Sequence, residues 1–171
     1  MDLSKLKTGK NPDNGEVYAF IEIPLNSDIK YELDKEMGVI IADRFAFTSM
    51  RFPFNYGFIP NTHGEDGDPL DIMVITDKTV YPGTVVACNI IGMLEMEDEA
   101  GIDTKILAVP GPKIDSVYGL LTDLSQVSEG IKNKIRHFFE NYKGLEKGKW
   151  VKLKEWKGKK EALEELKKAL Q

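Results

Sequence analysis

The chain has 171 residues, 42% hydrophobic and 30% charged, the size and make-up of one globular domain with a real core. Its net charge of −5 argues against nucleic acid as the main partner, and its single cysteine (Cys88) and two histidines (His63, His137) argue against a disulfide framework, a zinc centre or a Ser-His-Asp triad. No apolar run is long enough to span a bilayer and none opens the chain as a leader, so a cytoplasmic protein without membrane association is expected.

Residues 1–15, rich in Gly, Pro and Asn, read as a loose arm. "EVYAFIEIP" alternates, with Val17, Ala19, Ile21 and Ile23 on one face and Tyr18, Phe20 and Glu22 on the other, and so predicts a strand. "IKYELDKEMGVIIADRF" predicts a hairpin closed at Gly38. "DIMVIT" and "TVVACNIIGMLEM" are further strand-like runs, separated by a Tyr81-Pro82-Gly83 turn. "EDEAGID" then reads as an acidic turn and "TKILAVP" as a strand. Beyond Pro112 the period changes. Ile131, Ile135, Phe138 and Tyr142 recur at helical spacing, predicting a helix over 128–143 that stops at Gly144. A second helix over 158–170 carries Ala162, Leu163, Leu166, Ala169 and Leu170 on one stripe. Strands first and helices last predict an α+β fold, a small and mostly antiparallel β-barrel with two helices packed against it. One unit spans the whole chain.

The chemistry concentrates in "GEDGDPLDIMVIT". Glu65, Asp66, Asp68 and Asp71 fall within seven residues, with no Lys or Arg inside the stretch. Acidic turns are usually only solvated. A calcium loop fits poorly, because the fifth, sixth and twelfth positions from Asp66 hold Leu70, Asp71 and Asp77. A second acidic turn, with Glu97, Asp98, Glu99 and Asp103, lies on a neighbouring strand-like run. Carboxylates without nearby His or Cys suit hard cations such as Mg²⁺ or Mn²⁺. Lys30 and Glu32 share a face of the hairpin, and Arg44 lies on its returning arm. Lys105 follows Asp103 at strand spacing, as an ion-pair partner would. Glu22 shares a face with aromatics and needs a partner if buried. Carboxylates together with Lys, Arg and Tyr describe an anionic, phosphate-like substrate held partly through metal. "GLEKGK" is one residue short of a P-loop and lacks its Ser or Thr. Two other classes remain open on these residues. One is a metal-dependent hydrolase of nucleotides or phosphate esters; the other is a barrel that sequesters divalent cations without turnover.

The chain resembles the family I soluble inorganic pyrophosphatases in their short prokaryotic form. "DGDPLDI" is similar to that family's heptapeptide, and "IEIP", "KYELDKE", "DR", "FPFNYGFIP", "EDEAGIDTK", "LAVP" and "HFFENYKGLEKGKWV" follow in the family's order. The resemblance implies a five-stranded OB-like barrel that hydrolyses pyrophosphate to two orthophosphates with Mg²⁺, several ions per site, for which Mn²⁺ or Zn²⁺ can substitute. It implies Asp66, Asp71, Asp98 and Asp103 as metal ligands, with Glu22 acting through water, and Asp68 as the general base. Lys30, Arg44, Tyr56, Tyr142 and Lys143 would bind substrate, with Glu32, Glu99 and Lys105 in support. A homo-hexamer is implied as the assembly.

Overall fold

The structure is a computed structural model that describes residues 5–64 and 67–170. Ten strands occur among these residues: β1 (Gly9–Asn11), β2 (Glu16–Ile23), β3 (Ile29–Asp34), β4 (Val39–Phe45), β5 (Asn55–Phe58), β6 (Asp71–Val74), β7 (Val85–Asp98), β8 (Gly101–Ile102), β9 (Lys105–Pro110) and β10 (Val151–Gly158). Two α-helices join them, α1 (Glu129–Asn141) and α2 (Lys159–Ala169). Hydrogen bonds run β2–β5–β6–β9–β7, and β7 then pairs back to β2. That last pairing closes five strands into a barrel. All of its pairings are antiparallel except β6–β9. This is the expected architecture.

β2 buries Val17, Ala19, Ile21 and Ile23, as its alternation predicts. Phe20 departs from that reading and is also buried, because its face is covered: its ring stacks on Phe58 with centroids 5.0 Å apart. β5 was not legible as a strand. It approaches β2 so closely that a Cβ on Gly57 would lie 1.9 Å from the Phe20 carbonyl oxygen, so only glycine fits there. β6 and β9 are apolar on both faces. Ile72, Val74, Ile106 and Ala108 join one core cluster with Ala162, Leu166 and Ala169 of α2. Met73, Ile75, Leu107 and Val109 join a second with Ile135, Phe138 and Phe139 of α1. Burying each such large side chain contributes ~1.5–3 kcal/mol.

Two expectations need correction, and one element is new. Residues 9–11 are not loose, since β1 pairs with β2 at Gly9↔Val17. Leu170 does not belong to the buried stripe of α2; it caps the helix end at 40% exposure. Residues 151–158, which the hydrophobic pattern left unassigned, form β10 on the outer half of β7. A bulge between Leu153 and Trp156 breaks their alternation. The helices begin and end within two residues of the expected limits, with Ser128 capping α1 by accepting from the Ile131 N–H. The predicted hairpin is present as β3–β4, with Gly38 at φ 69° in its turn. It forms its own two-stranded sheet, hydrogen-bonded in ladder fashion to no barrel strand among the described residues. No helix among the described residues is long and apolar enough to cross a membrane.

Candidate active site

The parallel register of β6 and β9 sets Ile72 beside Ile106 and so brings the strand starts, Asp71 and Lys105, together at one end of the barrel. Asp103 lies two residues earlier. The Lys105 ammonium donates to both Asp71 and Asp103 and is only 4% exposed. It also sits 5.7 Å from the centroid of the Tyr56 ring. Burial alone would push the Lys105 pKa down, but the charges of Asp71 and Asp103 outweigh it and hold it above the ordinary value. Burial raises Asp103, and Asp71 adds to the rise while Lys105 opposes it.

Asp98, the last residue of β7, accepts from Lys143 at 2.7 Å and from the Ala100 N–H at 2.8 Å. Those bonds overcome burial and keep its carboxyl below the usual range. Glu99 pairs with Lys149 and lies 3.8 Å from Lys143, behind the cavity wall. Tyr142 follows α1 and stacks on Phe138 at 4.9 Å, part of an aromatic floor with Phe52 and Phe139. Burial raises the pKa of both Tyr142 and Tyr56, so both hydroxyls stay protonated and can donate.

The hairpin supplies the opposite wall. Lys30 and Arg44 face each other in register. Lys30 pairs with Glu32 and lies 3.6 Å from Asp43; Arg44 pairs with Glu146 and, at 3.2 Å, with Asp43. From the hairpin turn, Lys35 reaches Asp68 at 3.1 Å. Between the walls lies a cavity of about 340 Å³. Glu22, Asp68, Asp71, Asp98, Asp103 and Lys105 line it from the barrel side, and Lys30, Glu32 and Arg44 from the hairpin side. Tyr56, Tyr142 and Lys143 complete the lining. Sequence reasoning thus named every ionisable lining residue except Tyr31 and Lys35. It also missed Asp43 and Glu146, which act from just outside. Asp66 lies outside the described residues.

The acidic stretch has no cation of its own, but the fold brings lysines to it from the hairpin and from β9. Among the described residues, no three His, Cys, Asp or Glu side chains converge closely enough to hold a metal. Lys105 instead occupies the gap between Asp71 and Asp103. The donor set still fits a hard cation, because the wall is made of carboxylates, with neither sulfur nor imidazole.

Glu22 is half-buried and accepts the Leu33 N–H at 2.8 Å, tying β2 to β3. Burial, with the Asp71 and Glu32 charges adding and the Leu33 bond opposing, raises its pKa from 4.5 to about 7. A carboxyl raised in the folded state supports the fold fully below about pH 4.5 and loses that contribution as pH rises through about 7. Glu22→Gln keeps an acceptor for Leu33 and removes the charge. In metal-free urea titrations it should stabilise the fold by ~1–3 kcal/mol at pH 8 and by nearly nothing at pH 4.5. Equal effects at both pH values would place Glu22 in a solvated setting.

The family model described as inorganic pyrophosphatase matches residues 19–171. The inorganic pyrophosphatase of Aquifex pyrophilus is 54% identical over 171 residues, covering 100% of this chain and 96% of that one. That of Saccharolobus solfataricus is 51% identical over 168 residues, covering 98% and 96%. The solved inorganic pyrophosphatase of Helicobacter pylori superposes with a TM-score of 0.92 at 44% identity, covering 97% of this chain and 96% of that chain. The Thermus thermophilus enzyme gives 0.92 at 41%, covering 99% and 97%. Agreement over nearly the whole length, in sequence and in backbone alike, makes this chain a member of the inorganic pyrophosphatase family.

Proposed function

We propose that the chain hydrolyses inorganic pyrophosphate to two orthophosphates in this cavity, by attack of water and without a covalent enzyme intermediate. The observation that carries the reading is one cavity of about 340 Å³ with a carboxylate wall on the barrel and a Lys/Arg wall on the hairpin. Such a site suits a compact polyanion held partly through cations. Asp66, Asp71, Asp98 and Asp103, with Glu22 through water, would hold Mg²⁺, which would supply charge neutralisation and lower the pKa of the attacking water.

The chain's own residues do the rest. Lys30, Arg44 and Lys143 donate to phosphate oxygens, and Arg44 can do so through two parallel bonds. Tyr142 and Tyr56, held protonated, add neutral donors. Asp68 takes the proton of the attacking water. Lys105 fixes Asp71 and Asp103, and Glu32 and Glu99 orient Lys30 and Lys143. The one cysteine is no candidate nucleophile, since Cys88 is buried and burial pushes its thiol up. Mn²⁺ or Zn²⁺ as substitutes, a cytoplasmic setting and a homo-hexamer belong to the same proposal, supported by the resemblance.

The test is phosphate release from pyrophosphate and from ATP, with Mg²⁺ and with EDTA. Metal-dependent release from pyrophosphate, with ATP far slower, is expected. Comparable rates on both substrates would favour a nucleotide phosphohydrolase. Absence of turnover on either would favour cation sequestration.

A further inference from the structure

We infer that Glu146 is a positioning residue that sets the Arg44 guanidinium for the substrate, an inference that rests on the proposed reaction. β3–β4 is a separate sheet, so the two walls of the cavity are not joined there by a strand ladder among the described residues. The Arg44–Glu146 ion pair spans that gap, from β4 to the turn after α1 that also carries Lys143. Glu146 is built for the task. Its side chain is 11% exposed. Its N–H donates to the Lys143 carbonyl at 2.8 Å, and its carbonyl accepts from the Lys149 N–H at 3.2 Å. It borders a small depression with Phe52, Phe138 and Tyr142.

The guanidinium is gripped on two edges. Nε faces Asp43 at 3.2 Å, and Nη1 donates to Glu146. These contacts fix its plane and leave the other N–H groups to donate to an oxyanion. Without Glu146 the long side chain keeps, among the described residues, Asp43 as its ion-pair partner, which moves with it on the same strand. The substrate must then order Arg44 at its own cost.

The experiment compares Glu146→Ala and Glu146→Gln for pyrophosphate KM and kcat, and measures orthophosphate affinity by calorimetry with Mg²⁺ present. Both substitutions are repeated in an Arg44→Ala background. Glu146→Ala should raise KM and weaken orthophosphate binding about tenfold, equivalent to ~1.4 kcal/mol of coupling, with a smaller change in kcat. Glu146→Gln, which keeps the acceptor oxygen, should recover most of the loss. In the Arg44→Ala background, Glu146→Ala should change orthophosphate affinity less than twofold. An undiminished effect in that background would make Glu146 a structural support of the turn and overturn the inference. So would an unchanged or tighter KM in Glu146→Ala, the latter meaning that Glu146 competes with substrate for Arg44. A wild-type protein that does not turn over pyrophosphate would instead overturn the proposed function.

Discussion

Asp68→Asn should cut turnover at neutral pH by ~10²–10⁴-fold, the usual worth of a positioned base. The side chain keeps its shape and loses its basicity. Asp68 lines the cavity, and its side chain is largely exposed, so a water proton can reach it and then leave to solvent. Substrate and metal affinity should survive, because Asp71, Asp98 and Asp103 sit on other elements. Part of the rate should return as pH rises, since hydroxide then replaces the base. Asp71→Asn provides the contrast: it removes charge from the wall proposed to hold Mg²⁺, so excess Mg²⁺ should rescue it and pH should not. Rate profiles against pH and against Mg²⁺ separate the two. Rescue of Asp68→Asn by Mg²⁺ alone would make Asp68 a ligand and leave the base unassigned.

Lys105→Met should destabilise the metal-free fold by ~3–5 kcal/mol, the usual cost of removing one partner from a buried ionic cluster. Methionine preserves most of the length but leaves Asp71 and Asp103 facing each other with no cation between them. The sign with pH follows from Asp103, already raised by burial and by Asp71. A carboxyl raised in the folded state loses its contribution as pH rises, and removing Lys105 pushes it further up. The loss should therefore be large at pH 8, smaller at pH 5, and partly repaired by millimolar Mg²⁺. Urea denaturation in EDTA and in Mg²⁺ would measure it. A loss below 1 kcal/mol at pH 8 would mean that solvent screens the cluster.

The sequence made some features plain and hid others for physical reasons. The alternation of β2 survives because its buried face has period two. The helices are legible because their apolar stripes have one period and clear stops. β5 was hidden by its brevity and by Gly57, a residue that argues against a strand unless another backbone comes very close. β10 was hidden by its bulge. Barrel closure through β2–β7 leaves no local trace, since it depends on residues far apart in the chain. At the site, carboxylate clustering named residues that the fold gathers along one cavity. The Lys105–Asp103 pair was readable from strand spacing, whereas the Lys105–Asp71 contact depends on parallel register between strands more than thirty residues apart. Asp43 and Glu146 are ordinary polar residues in sequence, and only the fold sets them beside Arg44.

The closing pair of strands also bears on how the molecule forms. β2 must find β7, and β6 must lie parallel to β9 across the long excursion of β7 between them. Folding is thus dominated by non-local contacts, which makes it slow relative to helical chains of similar length. Until the ring shuts, β6 and β9 offer apolar side chains on both faces, and collapse competes with clumping. The cavity draws on residues from Glu22 to Lys143 and has no precursor in any single hairpin or helix. Its hairpin wall can form locally, but its barrel wall exists only once β6 lies beside β9, so the cavity is completed late in folding.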